Sequence, residues 1–401
     1  MTEDPEQPPV ERSGVHDQMA AAAHAAGISR VHLVAFRDRD DPEAGGSEEH
    51  AYQVARQLHL AGLDVVHHTG TVPGAPPEIR RDGVRVLRRG GRVGVFVTTV
   101  SDSLGRRMGP RDGLIEIFHG APFFAPLWTR GPKVAFIHHV HLGTWHHLVP
   151  FPLDRVGHFI ESRLVPLVYR RSTVVTAADS ARDEIVSELG LPRGNIRIAH
   201  HGIDPRFEPG GVRSDRPLVV AVARMMPQKG LADLLPILAA TRERVPDMEA
   251  VVVGDGPQRA ELEQLRTALG AEHWLSFVGR VDDDELVAWY QRAWVVASAS
   301  HREGFGLTLT EAAACGTPSV ATRIPGHVDA VSEGTSGLLA SDADEFTEHL
   351  ARVLTMGQLR EQLSRGSLEW ARRFTWERSA AAILDALCDD ARRRSTRRRR
   401  P

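Results

Sequence analysis

The stretch H-R-E-G-F-G-L-T-L-T-E-A-A-A-C-G-T-P-S-V-A-T, His301 to Thr322, reads as a glycine-loosened loop running into a helix and then a strand. Without a Cβ at Gly304 or Gly306, a ligand can come close to the backbone. Leu307, Thr308, Glu311 and the alanines at 312–314 follow without a breaker, which predicts a helix from near Gly306 to Cys315. Gly316 ends it and Pro318 prevents its return. The amides of Phe305 to Thr308 then lie at a helix N-terminus, a place that favours an anion such as phosphate. Glu303 stands just before that place, and Glu311 eight residues later. One carboxylate beside a phosphate and a second a turn or two away suit a sugar diphosphate. An αβ unit with solvated glutamates fits the same letters, so the rest of the chain must decide.

Short apolar runs alternate with amphipathic helical stretches nearly throughout, the pattern of parallel α/β architecture. In the first half, 31–36, 64–67, 115–118, 134–138, 174–176 and 196–199 read as strands, with helices at 46–61, 155–169 and 181–189, the last capped by Ser180. At H-G-I-D-P-R-F-E-P-G-G-V-R-S-D-R-P, from His201, the pattern lapses into Gly, Pro, Asp and Arg, which marks a linker. It then restarts with strands at 218–223, 250–253, 275–278, 294–297 and 319–321. The fold class is therefore α/β, two doubly wound Rossmann-like domains facing across a cleft. The boundaries read as a disordered leader 1–27, an N-terminal domain 28–203, a linker 204–216 and a C-terminal domain 217–373. A helix at 374–391 and a basic disordered tail 392–401 follow.

Composition narrows the classes. With 42% hydrophobic and 25% charged residues among 401, the chain is ordinary for a soluble protein. No apolar run approaches the roughly 18 residues of a membrane span. The acidic, proline-rich start is not a signal peptide, and Cys315 and Cys388 make no disulfide framework, so a cytoplasmic location fits. Seven arginines between Arg392 and Arg400 leave the remaining body at −10, against −3 overall. An acidic body excludes specific nucleic-acid binding as the main task, while the tail permits at most weak contact with anionic lipid. Of 49 basic residues only Lys133 and Lys229 are lysines, a bias that points to a GC-rich bacterial genome. A lysine that persists against such a bias marks a place where a compact ammonium is needed.

In open α/β sheets ligands sit beyond the carboxyl ends of strands, and several candidates fall there. After the strand at 218–223 comes A-R-M-M-P-Q-K-G, in which Arg224 and Lys229 can neutralise a diphosphate leaving group without a metal. Gly254 opens the turn G-D-G-P after the next strand. Gly279, Arg280 and Val281 follow the third, where backbone can edge a nucleotide base. In the first half, Gly45-Gly46-Ser47-Glu48 is a glycine turn at a helix start. His138, His139, His141, His146 and His147 crowd around Trp145. Zinc is one reading; the other has His138 bonding a sugar hydroxyl at a strand end, with Trp145 offering its face to a ring. Asp282-Asp283-Asp284 fits an N-cap and acidic first turn rather than a metal site.

Together, R-E-G-F-G-L-T-L-T-E-A-A-A-C-G-T-P, G-G-S-E, A-R-M-M-P-Q-K-G, V-G-D-G-P, F-V-G-R-V and F-T-W-E-R resemble the motifs of retaining GT-B glycosyltransferases of family 4. The resemblance implies transfer of a hexose-type sugar from a nucleoside diphosphate donor to an acceptor hydroxyl, without cofactor or essential metal. It implies that Arg224 and Lys229 hold the diphosphate, that Glu303 contacts the donor sugar, and that Gly304, Phe305, Gly306, Leu307 and Thr308 line it. Glu311 then binds ribose, His138 is the histidine of the first domain, Gly46 its glycine-loop contact, and the last helix crosses back to that domain. Departures are Ala223 and Met225 in place of Gly and Leu, His201 where H-N-G-x-D has asparagine, and Pro325-Gly326-His327-Val328-Asp329 for G-G-x-P-E. A noncatalytic nucleotide-sugar sensor and a hydrolase or epimerase of the donor are the alternatives. The acceptor is unread.

Overall fold

A computed structural model describes residues 12–118, 120–143, 145 and 151–398. The chain divides into two compact units, Met1–Gly202 with Trp376–Pro401, and Ile203–Thr375.

The first unit is built on eight strands: β1 (Arg30–Ala35), β2 (Asp64–Thr69), β3 (Glu78–Arg81), β4 (Val84–Arg88), β5 (Gly113–Phe118), β6 (Lys133–Ile137), β7 (Thr173–Thr176) and β8 (Ile196–Ile198). Their order is β3-β4-β2-β1-β5-β6-β7-β8, parallel except for β3 against β4. Val31, Leu33, Val34, Leu114, Ile115, Phe136 and Ile137 are all fully enclosed, as strands covered on both faces must be.

The second unit has β9 (Leu218–Val222), β10 (Glu249–Val253), β11 (Leu275–Gly279), β12 (Val295–Ser298), β13 (Ser319–Thr322) and β14 (Gly337–Ala340), in the order β11-β10-β9-β12-β13-β14. This is the doubly wound dinucleotide-fold order, with strand order reversing between β9 and β12. Period-two side-chain alternation builds two cores from one strand. Val219 and Ala221 pack with Leu234, Leu238, Phe346 and Leu350 on one face. Leu218 and Val220 pack with Tyr290, Val296, Leu309 and Ala312 on the other.

Several expectations need correction. The disordered leader 1–27 in fact contains the helix Gly14–Ala26, which buries His16, Met19 and Ala23. That face rests against the helix Trp376–Arg398, so the tertiary contact, not the polar composition, decides the conformation; residues 1–11 lie outside the described residues. The basic tail is likewise helical through Arg398, because Arg392 pairs with Asp389 at 2.7 Å and Arg394 with Asp390 at 2.5 Å along the helix. The linker segment 204–216 is held by side-chain bonds. Arg213 donates to the Gly316 carbonyl at 2.5 Å and to Thr317 Oγ1 at 2.9 Å, all within the second unit. Ser180 is no cap, since the helix Asp179–Leu189 begins one residue before it with Ala178 at the N-cap. The helix Trp376–Arg398, though it follows the second unit in sequence, belongs to the first and buries Ile383, Leu384, Leu387 and Cys388 there. Among the described residues no helix is long and apolar enough to cross a membrane.

Buried histidines give the first unit a pH dependence. Burial holds the His32 and His67 imidazoles down to about 4, His201 to about 3 and His50 well below its ordinary 6.5. The native state keeps these rings neutral while the unfolded chain takes protons below pH 6.5. Their contribution is therefore full above 6.5 and is lost as pH falls toward 4. Burial pushes the Glu116 carboxyl up to about 7, against hydrogen bonds from Tyr169 and Phe123. It acts oppositely, favouring the native state as pH falls from 7 to 4.5. Four imidazoles outweigh one carboxyl, so the melting temperature of the first unit should fall steadily from pH 7 to pH 5. Calorimetry over that range tests this, and a flat or rising curve contradicts it.

Candidate functional site

Because β9 and β12 are hydrogen-bonded neighbours, the loops leaving their carboxyl ends run side by side. After β9 the chain makes a 3₁₀ turn, Pro227–Lys229, and then reverses at Gly230 with φ +60°. A Cβ on Gly230 would stand 2.0 Å from the Ala299 carbonyl oxygen, so glycine alone permits the two loops to touch. The His301 N–H donates to the Gln228 carbonyl at 2.9 Å and ties them together.

This brings Lys229 and Glu303 into direct contact. The Lys229 ammonium donates to Glu303 Oε1 at 2.6 Å, and Ser300 Oγ donates to the same oxygen at 2.9 Å. Arg224 is exposed and makes no ion pair among the described residues. Arg224 thus stands open to solvent, while the rare lysine is held by a glutamate 74 positions further along the chain.

The helix Leu307–Ala314 begins at Gly306, which has φ +82°. Its first bond runs from the Leu309 N–H to the Gly306 carbonyl, 3.0 Å, so the amides of Leu307 and Thr308 precede any helical acceptor. The Phe305 ring is buried and meets Phe374 edge-on at 5.4 Å, which fixes the loop just ahead of the helix. Glu311, on the helix, accepts a hydrogen bond from Tyr290 Oη at 2.9 Å. Burial pushes its carboxyl up to about 7, with the Tyr290 bond opposing.

The neighbouring strands supply the rest. Gly254, after β10, donates its N–H to the Gly279 carbonyl of β11 at 2.7 Å, and the exposed Arg280 and half-buried Val281 follow. Asp282 caps the next helix, Asp283–Arg292, accepting from the Glu285 N–H at 2.8 Å. Sequence reading passed over three partners: Ser300, Tyr290, and His327 after β13. Buried His327 lies 2.9 Å from the Thr322 carbonyl through Nδ1 and 3.3 Å from Ser298 Oγ through Nε2. Its signal was its place after a strand, in the very segment that departs from G-G-x-P-E.

Gly46 and His138 belong to the first unit. Gly46 opens the helix Gly46–Leu60, and the Gly45 N–H donates to Glu48 Oε2 at 2.9 Å. The aspartate-rich loop before it is anchored through Asp38, which accepts from Arg88 at 3.0 and 3.1 Å. Burial alone would raise this carboxyl, but Arg88 and Arg81 hold it down at about 2. His138 follows β6, buried. Trp145 is held in place by its indole N–H, which donates to the buried Glu161 Oε2 at 2.7 Å, and by its ring lying over Gly157. His146 and His147 lie outside the described residues.

Residues 203–370 match the profile described as Glycosyl transferases group 1, and residues 44–207 that of Glycosyltransferase Family 4. A D-inositol 3-phosphate glycosyltransferase of Saccharomonospora viridis is 35% identical over 240 residues, 55% of this chain and 56% of the relative. D-inositol 3-phosphate glycosyltransferase 2 of Catenulispora acidiphila is 27% identical over 92% of this chain and 95% of its own. The chain thus spans about half the length of the relatives it matches at 35% and 32% identity. Among solved structures, sucrose-phosphate synthase from Thermosynechococcus elongatus gives a TM-score of 0.72 at 21% identity, over 88% of this chain and 96% of that one. Anabaena HepE in complex with UDP-glucose gives 0.68 at 18% identity, over 92% and 99%. These likenesses establish two Rossmann-like domains of the GT-B kind. With both profiles matched in chain order, the protein belongs to the family 4 type of GT-B glycosyltransferases.

The helix start gives a direct stability test. An alanine at position 306 would hold φ near +82° and place its Cβ 3.2 Å from that of Ala330. Gly306→Ala should therefore lose roughly 1–3 kcal/mol, read as a lower urea midpoint; an unchanged midpoint contradicts the geometry.

Proposed function

We propose that this protein is a retaining glycosyltransferase that moves a hexose-type sugar from a nucleoside diphosphate sugar to an acceptor hydroxyl, without an essential metal. The observation that carries the reading is the meeting of Lys229 and Glu303 beyond the two strands where the sheet order reverses. Diphosphate entering beside the Leu307 and Thr308 amides draws the Lys229 ammonium and the open Arg224 guanidinium to itself. Glu303, released from the lysine, accepts from hydroxyls of the donor sugar. Both cations then stabilise the negative charge that grows on the leaving diphosphate as the glycosidic bond breaks. Glu311 accepts from the ribose hydroxyls, and Gly254, Gly279, Arg280 and Val281 edge the base. Gly46 and His138 serve from the first unit, His138 through a sugar hydroxyl. The two free, buried thiols Cys315 and Cys388 support a reducing, cytoplasmic setting for the reaction.

The named relatives act on D-inositol 3-phosphate, which makes that cyclitol phosphate the first acceptor to try; UDP-, GDP- and dTDP-sugars form the donor panel. Lys229→Ala and Glu303→Ala should each reduce turnover at least about 100-fold, the scale on which loss of one electrostatic contact acts. Circular dichroism should remain native. Near-wild-type transfer by both variants overturns the assignment. Product anomer analysis by NMR checks retention, and an inverted product rejects it.

Glu311 adds a pH test. As an acceptor for ribose it is strongest when ionised, and its carboxyl is pushed up to about 7 by burial. Donor binding should therefore weaken as pH falls from 8 to 6, when the proton taken up removes an acceptor. Calorimetric titration of the donor at several pH values reads this. An affinity that is flat across the range removes Glu311 from the donor site.

A further inference from the structure

We propose that the first unit holds a divalent transition-metal ion, of the zinc type, on the imidazoles of His50, His138 and His201. The three come from separate elements: His50 from the helix Gly46–Leu60, His138 from the carboxyl end of β6, and His201 from the segment after β8. One nitrogen from each lies within 4.8 Å of the other two. Ring centroids stand 5.1 Å apart for His50 and His138, 4.6 Å for His50 and His201, and 5.2 Å for His138 and His201. With metal–nitrogen bonds of about 2.0–2.1 Å in tetrahedral geometry, two imidazole ligands have centroids roughly 5 Å apart. The rings are already spaced for that arrangement, and small rotations bring the nitrogens together.

Chemistry agrees with spacing. All three rings are nearly inaccessible to solvent, at 0%, 6% and 5% exposure. Neither nitrogen of His50 has a hydrogen-bond partner among the described residues, an expensive state for a buried imidazole unless something else binds it. Phe136 and Trp376 wall the cluster, with His50 centroids 4.3 and 6.0 Å from theirs, giving an apolar surround that limits access of solvent. Three protein nitrogens leave a fourth position for water. The ion would fasten the helix that starts at the glycine turn to the end of β6, taking one nitrogen of His138 and leaving it the other.

The site is this chain's own rather than a property of the resemblance, since His201 replaces the asparagine of H-N-G-x-D. The crowded 138–147 run does not contain the other two histidines, which stand 88 positions before and 63 after His138.

The test uses the full chain, stripped with chelator and titrated with ZnCl2, with MgCl2 as control. One equivalent of zinc should remain after dialysis, measured by elemental analysis, and the melting temperature should rise with zinc and not with magnesium. Cobalt(II) in its place should give the visible absorption of a low-coordinate nitrogen site. His201→Asn and His50→Gln should each weaken zinc at least about 100-fold, beyond what loss of an outer-sphere partner costs, and abolish the cobalt band. His201→Asn installs the residue the resemblance carries at that position, so it decides the matter even if His50→Gln fails to fold. Wild-type protein that retains no more zinc than folded His201→Asn overturns the proposal, and so does a cobalt band that survives His201→Asn, since exposed histidines would then be the ligands.

Discussion

The parallel pairing of β9 with β12 is the constraint on which the second unit depends. Val219 lies beside Val295 and Val220 beside Val296, although more than seventy residues separate the strands in sequence. Two parallel strands that adjoin must end on the same edge of the sheet, and their connecting helices leave toward opposite faces. Lys229 and Glu303 meet because of that, as do the Gly230 and Ala299 loops. The neighbouring strands β10, β11 and β13 then add Gly254, Gly279 and His327 along the same edge. What locks the pairing is burial on both faces, with the odd and even residues of β9 serving different cores.

Charge is distributed along this edge in a graded way. The Lys229–Glu303 pair is partly exposed, at 26% and 15%, so solvent screening limits its stabilisation to roughly 1 kcal/mol or less. An ion pair that weak yields readily to a phosphate, which offers the ammonium more charge and more acceptors. Asp38 in the first unit contrasts with it. Enclosed and held by two arginines, it keeps its charge down to about pH 2, and it fixes the loop before the glycine turn. One carboxylate is placed to exchange partners and the other to keep them.

Much of this was legible from residue order. The helix expected from near Gly306 to Cys315 forms as Leu307–Ala314, because its glycine start and Gly-Pro stop are backbone constraints that tertiary context does not override. The Asp282 cap is local in the same sense. The hairpin of β3 and β4 was also marked, by Asp82-Gly83 between alternating residues, and went unread. Both residues adopt positive φ, 47° and 78°, as the tight hairpin turn requires. The helix Gly14–Ala26 and the docking of Arg213 carry no local mark, since each exists only through a distant partner. The nearness of His50, His138 and His201 is likewise a property of topology, created when β1, β6 and β8 take their places in one sheet.

The helix Trp376–Arg398 covers β5, β6 and β7 of the first unit and supports Gly14–Ala26, yet it is encoded after the whole of the second. The two units consequently differ in when they can mature on the ribosome. Residues 203–375 are contiguous and can close their core as soon as they emerge. The earlier sheet must wait, with Phe136, Val175 and their neighbours only partly covered, until residues 376–398 have been synthesised. The part of the chain made first is finished last, and its exposure during that interval is set by translation rate rather than by its own stability.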